Sequence, residues 1–279
     1  GQTDQQAKRV LIVFDGVYMN AEVWLNGQLI GTNPYGYTSF WFDLTDKIKP
    51  GARNVLAIKV KNEGENSRWY AGSGIYRHVW LKTLDSTHVA QWGTYITTPV
   101  VTPASAEVNV RTNVENESQQ SEQVRLVTRI NDPQQREVAK LESVETIEAK
   151  ASREFAQKAT VESPTLWSPD IPALYTAASE VYRLAQLVDR VETRFGIRTF
   201  SFDVTNGFQL NGRPLKLKGG CLHHDNGPLG ARAFARAEER RVELLKASGF
   251  NALRMAHNPP SPAFLEACDR LGMMVIDEA

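Results

Sequence analysis

Between Leu215 and Ala279, three apolar runs each end on a cluster of polar, titratable side chains. "LKLKG" leads to Cys221, His223, His224 and Asp225. "NALRMA" carries Arg254 and runs into His257 and Asn258, and "MMVID" closes on Asp277 and Glu278. Neutral imidazoles both donate and accept hydrogen bonds, and imidazoliums stabilise developing negative charge, so His223 and His257 are candidate ligand contacts with His224 and Asp225 beside them. A histidine that merely binds a neighbouring carbonyl is an equally good reading of each. Arg254 sits in an otherwise apolar strand, where an inward-facing charge needs a carboxylate, so a structural ion pair to Asp277 or Glu278 competes with a chemical role. Metal-ligand types are present, but no HExxH or paired CxxC spacing supports a metal site, and ligand contact is preferred. Asp277 and Glu278 cannot both reach one site, because adjacent strand residues point to opposite faces.

The segments between these runs have helical periodicity. Val242 and Leu245 share one face of the first, and Phe264, Cys268 and Leu271 one face of the second. Ser261 before Pro262 reads as an N-cap with proline at the first helical position, and Gly249 and Gly272 sit where a left-handed C-terminal residue is needed. Strand, helix, strand, helix, strand implies right-handed crossovers and a parallel sheet. All the polar clusters then lie at its C-terminal edge, where barrel and doubly wound folds bind ligands.

The chain has 279 residues with 32 Lys plus Arg and 32 Asp plus Glu. That length suits two or three domains, and the balanced charge offers no field for nucleic acid. Cys221 and Cys268 read as small buried thiols. No apolar run is long enough to span a bilayer, and the opening "GQTDQQAKR" lacks the apolar core of a signal peptide. Both ends adjoin strands directly, so each is expected to cut through a folded domain.

From Val10 to about Leu84 the pattern is all-β. Asn26-Gly27 marks a tight hairpin, "NVLAIKVK" alternates Leu56, Ile58 and Val60 with wet positions, and "GIYRHVWLKT" reads as another strand, which together suggest a β-sandwich. Trp69, Tyr70 and Tyr76 lie in the turn-rich stretch between. Their faces suit sugar rings, but composition favours Trp69 as a plug for the end of the sandwich. From about Thr87 to Phe200, Val108, Val110 and Val114, then Val124, Leu126 and Ile130, alternate with polar residues as in a second sandwich. "SPTLWSPDIPALY" is extended and proline-punctuated. Asn206-Gly207 and Asn211-Gly212 give two further hairpin signals before "LKLKG".

"LNGRPLKLKGGCLHHD", "GFNALRMAHNPPSPAFLEACDRLGMMVIDEA", "VWLNGQLIG", "SRWYAGSGIYRHV" and "LWSPDIPALY" together resemble glycoside hydrolase family 2, most closely its β-galactosidases. The match runs in the same order through nearly the whole chain. It implies a multidomain β and α/β fold: a partial jelly-roll-like sugar-binding β-sandwich (1–86, its opening half missing), an immunoglobulin-like β-sandwich (87–200) and the truncated start of a (β/α)8 TIM barrel (201–279, three strands). Members are retaining exo-glycosidases, with two glutamates roughly 5 to 5.5 Å apart as acid/base and nucleophile. These follow the fourth and seventh barrel strands in the family, so neither is expected in this chain, "NEG" at Asn62–Gly64 is no substitute, and the fragment alone is expected to be inactive.

The resemblance implies a supporting shell instead. His223 and His257 match histidines that contact the terminal sugar, and Arg254 matches an arginine near the nucleophile. Asn258 follows in the same loop, and Asp277 and Glu278 match the "DEA" strand end. Some β-galactosidases carry an aspartate just before the tryptophan matching Trp69; this chain reads "NSRW", which leaves Asn66 or Arg68 to take that contact. No cofactor is expected within the chain, with Mg2+ or Na+ an expectation for the parent enzyme. The expected partner is a β-galactoside carbohydrate, not nucleic acid or membrane, and the parent is expected to be a homo-oligomer. Alternatives are a family 2 β-glucuronidase or β-mannosidase, or a non-catalytic carbohydrate-binding or scaffold module; "GCLHHD" and "HNPP" lean towards galactoside.

Overall fold

The computed structural model describes residues 8–64 and 69–278. Contacts divide the described residues into one unit of residues 9–83 with 217–278 and another of residues 84–216 with Lys8. No helix among the described residues is long and apolar enough to cross a membrane.

The first unit opens with β1 (Arg9–Phe14), β2 (Val17–Tyr18), β3 (Ala21–Leu25), β4 (Gln28–Asn33), β5 (Phe40–Asp43), β6 (Leu56–Lys59), β7 (Gly74–Ile75) and β8 (Val79–Leu84). They form sheets ordered β5-β1-β8 and β4-β3-β6 and a small β2-β7 ribbon. Ile12, Phe14 and Phe40 of one sheet meet Ala21, Val23 and Leu25 of the other in one core, as a sandwich requires. The β3–β4 hairpin turns on Asn26 and Gly27, at φ 52° and 82°, as the dipeptide predicts.

Two expectations are corrected here. β6 lies at the edge of its sheet, so Leu56 is exposed, with only Ile58 and Val60 packed against the core. "GIYRHVWLKT" is not one strand. Tyr76 and Arg77 turn inward between β7 and β8, where the tyrosine hydroxyl donates to Gly36 O at 2.9 Å and the guanidinium to Tyr37 O at 2.8 Å.

The second unit comprises β9 (Thr87–Thr97), β10 (Ser105–Asn116), β11 (Glu122–Asn131), β12 (Glu137–Ile147), β13 (Ala151–Glu162), β14 (Tyr175–Arg183) and β15 (Gln186–Phe195). Its sheets are ordered β13-β10-β9 and β12-β11-β14-β15. The alternating valines do what their period demands: Val108, Val110, Val114, Val124, Leu126 and Ile130 are fully buried. A hairpin of β16 (Phe200–Asp203), β17 (Gly207–Leu210) and β18 (Arg213–Pro214) follows. Asn211-Gly212 forms its two-residue turn, at φ 53° and 73°. The turn at Asn206-Gly207 is longer, organised by Asp203 Oδ1, which accepts from the backbone of Thr205 and Asn206.

The chain then returns to the first unit as β19 (Gly219–Leu222), α1 (Ala235–Ala247), β20 (Ala252–Met255), α2 (Pro262–Leu271) and β21 (Met274–Ile276). The strands pair in parallel in that order. The first begins four residues later than "LKLKG" suggests, because Asn251 intervenes: its side chain accepts from Lys218 N, and its backbone N–H donates to Lys218 O. Pairing starts at Gly219, where a Cβ would lie 1.8 Å from Ala252 O, so only glycine admits the neighbouring strand. Leu253 and Met255 face a core of Val242, Phe264, Ala267, Cys268 and Met273. Each of the valine, leucine, phenylalanine and methionine side chains in it contributes roughly 1.5–3 kcal/mol by leaving water. Both caps of α2 match expectation, with Ser261 Oγ accepting from Phe264 N at 3.2 Å and Gly272 left-handed.

Candidate active site

Residues 252–255 place Leu253 and Met255 against the helices, so Arg254 faces the opposite side of the sheet with Cys221, its partner in register. There the guanidinium ion-pairs with Glu278 and donates to Cys221 Sγ at 3.4 Å. The structural ion pair is therefore realised, and Glu278 is the partner. The other carboxylate oxygen of Glu278 lies 3.2 Å from His257 Nδ1. A proton on Nδ1 donated to that oxygen leaves Nε2 of the neutral ring as an acceptor for a ligand hydroxyl. Burial works to raise the Glu278 carboxyl, but hydrogen bonds and charge from Arg254 and His257 prevail and hold it below the usual carboxylate range. Asp277 takes no part in this ion pair, and partial burial raises its carboxyl instead.

His223 stands edge-on to His257, with ring centroids 5.5 Å apart. Trp69 stacks flat on His223 at 3.8 Å, and its indole N–H donates to Asp225 Oδ1 at 2.8 Å. Trp69 is therefore no plug. It is 41% exposed and Tyr70 is 77% exposed, whereas Tyr76 is the buried aromatic of that stretch. Asn258 accepts from the Tyr35 hydroxyl at 3.1 Å. Asn66 and Arg68 lie outside the described residues.

His224 points away from this group. It packs against Tyr37 and Tyr76 at centroid distances of 5.0 and 6.4 Å, its Nδ1 without a partner. Burial lowers its pKa, and the same burial pushes the Tyr76 hydroxyl up to about 12 and the Tyr37 hydroxyl higher still. Cys221 is exposed, contrary to expectation, because it lies on the sheet face opposite the helices; Cys268 is buried among them, its thiol raised to about 12 by burial.

The loops carrying these groups have their own supports. Arg241 donates to His223 O and to Asn226 Oδ1 and faces Glu238, itself 3% exposed, at 3.6 Å. Arg77 donates to Pro259 O at 2.7 Å, which ties the loop after β20 to the sandwich. Sequence reasoning missed Tyr35, Tyr37, Arg77 and Arg241. The available signal was the "YGY" pair around a glycine and an arginine between strands that reads as surface charge until its partners are known. Among the described residues no group of three or more His, Cys, Asp or Glu is placed to hold a metal ion.

Three family models cover the chain: a galactose-binding domain-like module of glycosyl hydrolase 2 over residues 1–90, glycosyl hydrolases family 2 over 87–198, and the TIM barrel domain of that family over 203–279. The chain belongs to glycoside hydrolase family 2. It is 49% identical to the β-galactosidase BoGH2A of Bacteroides ovatus over 96% of this chain and 32% of that protein. It is 30% identical to a β-glucuronidase of Formosa agariphila over 98% of this chain and 30% of that one. A solved family 2 member from Bacteroides cellulosilyticus superposes with a TM-score of 0.95 at 50% identity, covering 98% of this chain and 38% of that structure. The chain thus spans about a third of the length of the relatives it matches.

Proposed function

We propose that the protein containing this chain is a retaining β-galactosidase that releases terminal β-linked galactose from oligosaccharides, and that the ends of β19–β21 form one wall of its sugar subsite. The observation that carries this reading is the convergence of His223, His257 and the Arg254–Glu278 pair at the C-terminal edge of a parallel sheet, beside Trp69. Such an edge is where a barrel performs its chemistry. His257 offers Nε2 to a sugar hydroxyl, with Glu278 fixing its ring. Arg254 brings positive charge to the inner face of the sheet, where a carboxylate nucleophile needs to stay ionised. Glu278 is committed to two partners and is not assigned as acid/base or nucleophile. Those glutamates are assigned to barrel strands beyond the three seen here.

The likeness to a β-glucuronidase supports a second reading within the family. Hydrolysis of 4-nitrophenyl β-galactoside, β-glucuronide and β-mannoside by the full-length protein separates them. Preference for the galactoside is expected, and preference for another sugar moves the assignment to that glycoside. Sugar binding without turnover, unchanged when His223 or His257 is replaced, would instead indicate a binding module.

A further inference from the structure

Trp69 comes from the loop before β7, and His223 and Asp225 from the loop after β19. The indole lies on the imidazole with centroids 3.8 Å apart and planes 3° from parallel, while its N–H reaches Asp225 Oδ1 at 2.8 Å. These two contacts restrict different motions. Sliding across the imidazole breaks the hydrogen bond, and tilting the indole opens the stack.

His223 has little else to hold its ring. Its Nδ1 is buried with no hydrogen-bond partner, and Arg241 grips only its backbone carbonyl. A buried polar atom left unserved is costly, and at His223 it leaves the ring with no hydrogen bond at Nδ1 to fix its orientation. The indole covers one face of the imidazole, and a hydroxyl can hydrogen-bond the ring only in its plane, at an edge nitrogen.

We infer that Trp69, pinned by Asp225, is a positioning residue: it fixes the His223 ring so that its edge meets a hydroxyl of the terminal sugar. This rests on the glycosidase reading above. It gives Trp69 a role besides that of a platform for the sugar, since one face of its indole is taken by the imidazole.

The test is a double-mutant cycle in the full-length protein, read as kcat/KM on 4-nitrophenyl β-galactoside. Trp69→Ala and His223→Ala are each expected to lower kcat/KM about tenfold to a hundredfold, the range for a misplaced contact group. The double variant should fall no further than the worse single variant, because the two act as one unit. Trp69→Phe, which keeps a flat ring but loses the N–H that reaches Asp225, should fall about as far as Asp225→Ala and less far than Trp69→Ala, whereas Asp225→Asn, which keeps an acceptor, should recover most of the loss seen in Asp225→Ala. Losses that multiply in the double variant would overturn the inference. If another glycoside is the substrate, the same cycle is run on it, and only the galactoside assignment fails. If none of the three chromogens is cleaved, the crystal structure of the Trp69→Ala variant decides: a rotated or disordered His223 ring supports the inference, and a ring in its original place contradicts it.

Discussion

Charged side chains on the second sandwich pair across neighbouring strands, as Arg111 does with Glu154, Arg125 with Glu142 and Arg129 with Glu137, with both partners open to water. At the ends of β19–β21 one carboxylate, Glu278, serves both Arg254 and His257, and close by Glu238 and Arg241 face each other with side chains only 4% and 15% exposed. Exposed pairs contribute about 0–1 kcal/mol and are dispensable one at a time. Shared or buried groups are not, because removing one leaves its partners unserved. Both regions are built from strands; what separates these examples is whether a charged group is shared or buried.

The contrast is broken most severely at Glu238. Glu238→Ala leaves the Arg241 guanidinium in the interior with its hydrogen bonds to His223 O and Asn226 Oδ1 but without its carboxylate, and is expected to cost about 3–5 kcal/mol in denaturant titration. Glu278→Gln should act on function before stability: kcat/KM falls about a hundredfold as Arg254 and His257 lose their shared anchor, while the melting temperature changes by only a few degrees because the pair is part-exposed. His224 sharpens the comparison through pH. Burial places its folded pKa below the ordinary 6.5, so the unfolded chain takes up the proton first as pH falls. Its contribution is full above about 6.5 and is lost as pH drops through the folded value. His224→Phe, which keeps an aromatic ring against Tyr37, should remove that part of the acid destabilisation in melts between pH 7 and 5. Glu154→Ala on the sandwich should change stability by less than about 0.5 kcal/mol and activity not at all. A large effect there would erase the distinction.

Local pattern was enough for much of this. The valine alternation of β10 and β11, the Asn26-Gly27 turn, the Ser261 cap and the strand ends at His223, His257 and Glu278 all follow from period and turn chemistry. What escaped depends on contacts distant in sequence. Arg77 meets Pro259 and Tyr35 meets Asn258, and no window of the sequence contains both partners. Trp69 reads as a plug because its stacking partner lies more than a hundred residues away. Cys221 reads as buried because a short strand does not announce which face its neighbours will cover.

In the proposed reading the ends of β19–β21 hold the sugar. A crystal structure of the full-length protein with galactose bound tests it most directly. Sugar hydroxyls are expected about 3 Å from His257 Nε2 and from the His223 ring edge, with the Trp69 stack intact. Galactose bound away from these strand ends, or beside them with both histidines unengaged, would contradict it.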